Sequence, residues 1–305
     1  MASALQPPNL CHPRHWPMWA AVGFFWLLSR LPWWVQRGLA AGVAALWWHV
    51  IRVRRDVALV NLRLCFPEKD EREIRRLARA HFGALALGGF ETCAAWWAPR
   101  SRLPPHEITG LDHLAAARAG GRGVLLLTAH FTTLEICGRL FGETQPFGCL
   151  YREPNNPVIA HLMSRLLHAN MSVAIHFDDL RGLIRALKAG EIIWYAPDQA
   201  RRLKLSAIVP FFGVPSVTTT GTGRIAALTG AAVVPYFGRR RPDGSYLLTI
   251  LPALENFPTA DPEADALRIN RLIEEQVRLA PEQYFWVHKR FKARGPEHAE
   301  VYGGV

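Results

Sequence analysis

The chain has 305 residues and a formal net charge of +11, from 36 basic and 25 acidic side chains. That length allows one sizeable core with an attached anchor. The basic excess favours an anionic partner: a membrane surface, an acidic substrate or a nucleic acid. The sequence contains no zinc-finger or other nucleic-acid motif, so we expect no nucleic-acid partner. The five scattered cysteines form no C-x-x-C pair, which predicts buried structural thiols and no disulfides.

The N-terminal part of the chain is apolar after a short polar segment, residues 1–15. Two apolar runs, 16–35 and 38–50, contain seven of the eleven tryptophans, and tryptophan is enriched at membrane interfaces. Because Arg30 interrupts the first run, this run either spans the bilayer with Arg30 snorkelling or lies in the interface as half of a helical hairpin. We expect one spanning and one interfacial helix within a membrane-anchoring segment, residues 16–60. The arginines that follow predict that the rest of the chain stays cytoplasmic.

Residues 61–296 are predicted to form one α/β domain. Residues 70–95 have the periodicity of a helical pair. Strand and helix signals then alternate, which predicts a mixed, largely parallel sheet flanked by helices. The predicted strands are 123–129, 147–152, 172–177, 191–197, 207–213, 232–238 and 245–252. The predicted helices are 132–143, 157–169, 179–189, 219–229 and 263–280.

The stretch from Gly123 to Glu135 is the centre of this domain. Val124–Leu127 has the pattern of a buried strand, and His130 and Glu135 follow where it ends, at the edge where open α/β sheets place reactive groups. If His130 lies in the turn and Glu135 in the first helical turn, Glu135 can hold one imidazole nitrogen and leave the other as a general base. The competing interpretation is a capping box from Thr132 to Glu135 that only closes the start of the helix.

Further polar residues end other predicted strands at the same edge. Arg152 is positioned either to clamp a phosphate or to pair with Glu153. Asp198 and Gln199 close a strongly apolar strand, and the alternative to a site role for Asp198 is an Asx-turn. Arg201 belongs to a basic run that is either a solvated loop or a docking patch for a phosphate-bearing acceptor or an acidic carrier protein.

These residues belong to an ordered set of motifs. The set comprises His130-x4-Glu135, Tyr151-Arg152, Trp194-Tyr-Ala-Pro-Asp198-Gln199, Val209-Pro-Phe-Phe-Gly213, Thr218-Thr-Thr-Gly-Thr222 and Pro281-Glu-Gln-Tyr-Phe-Trp-Val-His-Lys-Arg-Phe-Lys292. In this order the set resembles the late lipid A acyltransferases of Gram-negative bacteria, the lauroyl/myristoyl transferase family. The resemblance covers about residues 12–293.

The resemblance implies an acyltransferase domain on the cytoplasmic face of the inner membrane. The implied donor is an acyl–acyl carrier protein, and the implied acceptor is a Kdo-bearing, phosphorylated lipid A precursor. His130 is the expected general base and Glu135 its orienting partner in transfer of a lauroyl-type chain to a hydroxyacyl hydroxyl. The residues expected to bind substrate are Arg152, Asp198, Gln199 and Arg201. The sequence shows no metal-ligand cluster, so we predict no metal and no cofactor.

Two other functions stay open on the sequence. A lysophospholipid or glycerol-phosphate acyltransferase would use the same histidine–acid pair on the same fold. A catalytically silent membrane scaffold would keep the fold without turnover. Assays with each acceptor distinguish these from a lipid A acyltransferase.

Overall fold

A computed structural model of the chain describes residues 9–199, 205–292 and 300–303. The helices of this part are α1 (Trp16–Leu28), α2 (Trp33–Val50), α3 (Arg52–Cys65), α4 (Glu71–Trp97), α5 (Leu111–Ala117), α6 (Leu134–Gly142), α7 (Pro157–Asn170), α8 (Leu180–Lys188), α9 (Gly221–Thr229) and α10 (Pro262–Leu279). The strands are β1 (His106–Thr109), β2 (Val124–Leu127), β3 (Gly148–Tyr151), β4 (Ala174–His176), β5 (Ile192–Tyr195), β6 (Ser206–Phe211), β7 (Val214–Thr219), β8 (Ala232–Arg240) and β9 (Tyr246–Ile250).

The elements predicted from residue 123 onward are present, with ends displaced by two residues or fewer. The predicted helical pair over residues 70–95 is one continuous helix, α4, and the predicted domain boundary after residue 60 falls inside α3. A capping box starts α4, in which the Glu73 N–H donates to Asp70 Oδ1 at 2.7 Å and the Asp70 N–H donates to Glu73 Oε2 at 3.1 Å. The sequence did not predict α5, β1 or β7.

The apolar N-terminal part forms two helices, as expected, but the first ends at Leu28 and the second begins at Trp33. The helix is interrupted between α1 and α2, where Pro32 has no N–H to continue α1. At the end of α1 the Ser29 hydroxyl donates to the Trp26 carbonyl at 2.7 Å. In residues 9–199, 205–292 and 300–303, no helix is long and apolar enough to cross a membrane. A single helix over residues 16–35 is not formed, since α1 ends at Leu28 and α2 begins at Trp33, and the expected spanning helix is not supported.

Large apolar side chains of α1 and α2 are exposed to solvent. None of the α1 residues is buried, whereas α2 packs through Ala40 against Leu87 and Phe90 of α4. The two helices are thus attached to the domain on one side and leave an apolar surface on the other. The exposed large side chains of this surface are Trp16, Phe24, Phe25, Trp26, Leu27, Trp34, Leu39, Leu46 and Val50.

Within the described residues, seven strands form one sheet in the order β1-β9-β8-β2-β5-β3-β4. Strands β8, β2, β5, β3 and β4 are parallel to one another, β9 is antiparallel to β8, and β1 is parallel to β9. The predicted mixed, largely parallel sheet is thereby confirmed. β6 and β7 leave this sheet and form an antiparallel hairpin, which packs through Ala207 and Val209 against Ala266 of α10.

The central strand β2 is buried on both faces. Leu125 and Leu127 belong to the core shared with α3, α4, α8, α9 and α10, while Val124 and Leu126 belong to the core shared with α5 and α6. Burial on both faces explains why this strand is continuously apolar. Because β8, β2, β5, β3 and β4 run in the same direction, their C-terminal ends share one edge of the sheet, which we call the rim.

Candidate active site

His130 and Asp198 meet at the rim. They follow β2 and β5, two neighbouring parallel strands whose last residues, Leu127 and Tyr195, lie opposite each other. His130 Nδ1 is 2.6 Å from Asp198 Oδ1, and the His130 backbone N–H donates to Asp198 Oδ2 at 3.1 Å. Because an ionised carboxylate only accepts, Nδ1 carries the proton of the neutral imidazole and Nε2 is its basic nitrogen.

The two side chains differ in their access to solvent. The His130 side chain is 33% exposed, whereas that of Asp198 is 1% exposed. A substrate at the rim therefore reaches the imidazole but not the carboxylate. This is the arrangement of a general base that a buried acid orients.

The surroundings of Asp198 keep it ionised. Burial alone would raise the pKa of this carboxyl, but the positive charge of His130, the hydrogen bonds from its ring and backbone, and the charge of Arg290 together hold the pKa below its usual value. The Tyr284 hydroxyl donates to Asp198 Oδ2 at 3.0 Å. Arg290 is itself buried and donates to the Val217 carbonyl at 2.7 Å.

A C-terminal segment, residues 281–287, holds the turn that carries His130. The Phe285 N–H donates to the His130 carbonyl at 3.0 Å, and the Thr132 N–H donates to the Gln283 carbonyl at 2.7 Å. These two bonds flank the histidine and fix its backbone. Tyr284 and Arg290 belong to the last motif of the sequence, which contained no signal that they support Asp198.

The same segment is anchored to β8 and α4. The Gln283 amide accepts from the Arg240 N–H at 2.8 Å and donates to the Arg240 carbonyl at 2.9 Å. The Arg240 guanidinium pairs with the buried carboxylate of Glu91 at 2.5 Å, and the Tyr246 hydroxyl donates to that carboxylate. Burial opposes the charge of Arg240, but the Glu91 carboxylate outweighs burial and raises the pKa of Arg240.

α4 passes directly over the turn at Gly88. A Cβ atom placed on Gly88 would lie 2.6 Å from the Thr132 carbonyl oxygen, whereas one on Gly89 would meet nothing within 4 Å. Glycine at position 88 thus permits a helix–turn approach that a larger residue would prevent. The position of His130 therefore depends on α4 as well as on β2.

His81 of α4 is expected to make the protein sensitive to acid. The ring is fully buried and its Nδ1 donates to the Glu282 carbonyl at 3.0 Å, and burial lowers its pKa from 6.5 to about 4. As the pH falls from 6.5 toward 4, His81 binds a proton in the unfolded chain but not in the folded chain, so the free energy of unfolding decreases. Between pH 7 and pH 5 this decrease amounts to about 2 kcal/mol.

Urea unfolding of wild type and His81→Asn at pH 7 and pH 5 measures this effect. Asn retains an amide donor for the Glu282 carbonyl but does not titrate. From pH 7 to pH 5 the free energy of unfolding should decrease in both proteins, and the decrease should be about 2 kcal/mol smaller for the variant than for wild type. Equal losses in the two proteins would show that His81 is not the cause of acid sensitivity.

Glu135 does not hold His130 Nδ1, so the prediction that it orients the imidazole is wrong. Glu135 lies in the first turn of α6, as that prediction required, but its Oε2 accepts from Trp96 Nε1 at 3.4 Å and Asp198 occupies His130 Nδ1. Water reaches this side chain, yet the protein around the carboxyl desolvates it and raises its pKa. The alternative capping box is also wrong, because the N-cap of α6 is Thr133 and makes no side-chain capping bond. A chemical role for Glu135 stays a prediction.

The other predicted site residues are distributed along the rim. Arg152 follows β3, and β5 lies between β3 and β2 in the sheet. Arg152 is therefore two strand spacings, about 10 Å, from the histidine turn and not next to it. Its guanidinium carbon is 5.3 Å from the centre of the Phe177 ring. Gln199 is half-buried directly after Asp198. Arg201 lies outside the described residues. Substrate binding by Arg152, Gln199 and Arg201 stays a prediction, whereas Asp198 holds the histidine.

The cysteines offer no competing nucleophile in this geometry. Four of them are buried, as predicted, and Cys11 is exposed. Burial raises the pKa of Cys93 to about 11 and that of Cys149 to about 12, and it raises the pKa of Cys137 further. Their thiolates are therefore scarce at neutral pH.

A histidine that a buried carboxylate orients, at the rim of an α/β sheet, is an arrangement suited to group transfer through a general base. The chain belongs to the bacterial lipid A biosynthesis acyltransferases, whose family profile matches residues 6–293. It is 40% identical over 289 residues to the lipid A biosynthesis lauroyltransferase of Escherichia coli strain K12, covering 93% of this chain and 94% of that one. The predicted family is therefore confirmed, and the protein is an O-acyltransferase.

Further relatives act with other acyl chains. The lipid A biosynthesis palmitoleoyltransferase of the same strain is 37% identical, with 95% of this chain and 96% of that one covered. The lipid A biosynthesis myristoyltransferase of the same strain is 27% identical, with 95% and 91% covered. Among solved structures, 1-acyl-sn-glycerophosphate acyltransferase from Thermotoga maritima aligns with a TM-score of 0.39 and 16% identity over 81% of this chain and 97% of that one. A likeness of that size supports no conclusion about this chain.

Proposed function

We propose that the protein transfers a fatty acyl chain from an acyl carrier protein to the hydroxyl of a hydroxyacyl chain on a Kdo-bearing, phosphorylated lipid A precursor. Membership of the family establishes acyl transfer in lipid A biosynthesis. The observation that carries the mechanism is the 2.6 Å contact between His130 Nδ1 and Asp198 Oδ1, because it makes Nε2 the basic nitrogen of a ring that is 33% exposed.

The reaction on this geometry is a direct transfer. His130 Nε2 takes the proton of the acceptor hydroxyl while its oxygen attacks the thioester carbonyl carbon. Asp198 stabilises the imidazolium that forms, since its carboxylate faces the protonated ring. The C–S bond then breaks, the carrier thiolate takes the proton from Nε2, and an ester and a free carrier thiol are released. The mechanism needs no cysteine or serine nucleophile, which agrees with the raised pKa values of the buried thiols.

The acyl chain is proposed from the relatives. The two most similar proteins described above are named lauroyl- and palmitoleoyltransferases. We therefore propose a donor of lauroyl to palmitoleoyl length, with lauroyl first because that relative has the higher identity.

We also propose that the protein acts at the cytoplasmic face of the inner membrane. The support is the apolar surface of α1 and α2, where Trp16, Trp34 and Leu46 are 63%, 77% and 60% exposed. Tryptophan and leucine on short helices suit the headgroup region of a bilayer. The net charge of +11 would favour an anionic surface.

Acyl-transfer assays with purified protein test this proposal. The donors are lauroyl-, myristoyl- and palmitoleoyl-carrier protein, and the acceptors are the Kdo-bearing precursor, the same precursor without Kdo, and a lysophospholipid. We expect product with the Kdo-bearing precursor and a preference for the lauroyl donor. Acylation of the lysophospholipid alone would overturn the acceptor. Membrane binding without turnover on any acceptor would favour the silent scaffold.

A further inference from the structure

α8 presents an unpaired basic face close to the site. Arg181, Arg185 and Lys188 are exposed and lie within about 60° of arc on the helix, at 100° per residue. Within the described residues, none of the three forms an ion pair, and Leu183 and Leu187 on the other side of the helix are buried. The face is therefore charged surface that the fold itself does not use.

Two exposed apolar side chains border this face at the rim. Phe177 and Leu180 are 52% and 51% exposed, directly after β4 and at the start of α8. The Phe177 N–H donates to the Tyr151 carbonyl at 2.8 Å, which joins the end of β4 to the end of β3. We call Phe177, Leu180, Arg181, Arg185 and Lys188 the α8 surface. Apolar anchors bordered by free cations are typical of a docking surface for an acidic protein.

The position of the α8 surface fits a protein donor. The surface begins at the β4 end of the rim, three strand spacings or about 14 Å from the end of β2. From there α8 runs away from the rim, and the Leu187 backbone lies against Gly123 at the start of β2. The apolar helices lie toward the opposite end, because Arg37 of α2 contacts the β8–β9 turn at Gly244 and Arg102, just before β1, donates to the Arg30 carbonyl at 2.8 Å. His130 lies between the two surfaces.

We propose that the α8 surface docks the acyl carrier protein and that the lipid acceptor enters from the side of α1 and α2. This inference rests on the proposed carrier-protein donor. An acidic carrier complements Arg181, Arg185 and Lys188, and its flexible prosthetic arm delivers the thioester along the rim to His130. Acidic residues also border the surface, but Asp179 Oδ1 is already engaged with the Gly182 N–H at 2.8 Å as the cap of α8. A membrane surface fits less well, because the exposed apolar helices lie on the other side.

The test compares two double charge reversals. Arg181→Glu/Arg185→Glu alters the α8 surface, and Arg72→Glu/Arg76→Glu makes the same charge change at two exposed residues with the same spacing on α4. Kinetics are measured with lauroyl-carrier protein and with the small thioester lauroyl-N-acetylcysteamine. Binding of holo-carrier protein is measured by fluorescence anisotropy, and binding to anionic vesicles by sedimentation.

The α8 variant should raise KM for lauroyl-carrier protein and Kd for holo-carrier protein about tenfold, with kcat on the small thioester unchanged. Added salt should weaken carrier-protein binding by wild type more than binding by this variant. The control variant should behave as wild type. An unchanged KM for the carrier donor would overturn the docking surface, as would equal losses with both donors accompanied by loss of vesicle binding. Turnover by wild type with the small thioester but not with the carrier thioester would overturn the proposed donor itself.

Discussion

Replacing Asp198 with Asn is expected to lower kcat about 10³- to 10⁴-fold while the protein stays folded. The amide removes the negative charge that stabilises the His130 imidazolium. Its NH₂ group can also face Nδ1, which would then have to accept and leave the proton on Nε2, the wrong nitrogen for a base. Acyl transfer to the lipid A precursor measures the loss, and thermal unfolding shows whether the fold survives.

Two further variants make this result specific. Asp265 is also buried, but its carboxylate accepts from the Thr259 N–H at 2.9 Å and does not contact His130. Asp265→Asn should therefore lower the stability of the protein but leave kcat of the folded protein intact. Glu135→Gln removes the other candidate carboxylate. A smaller loss for Asp198→Asn than for Glu135→Gln would return the orienting role to Glu135 and contradict the assignment.

Replacing His130 with Gln is expected to lower kcat about 10²- to 10⁴-fold, the usual contribution of a positioned general base. Gln can still donate to Asp198 Oδ1, so the buried carboxylate keeps a partner and the variant should fold. Wild-type kcat/KM should rise with pH as the imidazole becomes neutral, because only the neutral ring accepts the proton. The residual activity of the variant should lack this titration.

His113 provides the matched control for this variant. Its Nδ1 is hydrogen-bonded to the Ile250 carbonyl at 2.9 Å, but His113 lies at the opposite edge of the sheet from the rim. His113→Gln should retain wild-type kcat and its pH profile. If His130→Gln kept near-full activity with an unchanged profile, general-base catalysis by His130 would be wrong.

The sequence predicted the strands and their direction better than the pairing at the site. Continuous apolar runs such as Val124–Leu127 and Ile192–Tyr195 are typical of strands covered on both faces, and parallel strands place the residues that follow them at one edge. That reasoning placed His130 and Asp198 at the same edge. It did not pair them, because strand order is a property of the whole fold and the sequence does not state that β5 lies beside β2.

The error at Glu135 has a local cause. Five residues separate it from His130, and nearness along the chain favoured it over a partner 68 residues away. The geometric condition for that pairing is met, because His130 lies in the turn and Glu135 in the first turn of α6. The Glu135 carboxylate nevertheless contacts Trp96 of α4, and Asp198 after the neighbouring strand holds His130 Nδ1. Tyr284 was missed for a related reason, since no periodicity connects it to the strands it supports.

Synthesis of the chain proceeds from the N-terminus, and this order bears on the contacts of residues 281–287. His130 and Asp198 emerge from the ribosome well before Gln283, Tyr284 and Phe285, which fix the histidine turn and its carboxylate. A nascent chain that has already formed β2 and β5 therefore still lacks the segment that holds His130 and Asp198 in place. Competence for acyl transfer is acquired only after residues 281–287 have been synthesised and have packed on the histidine turn.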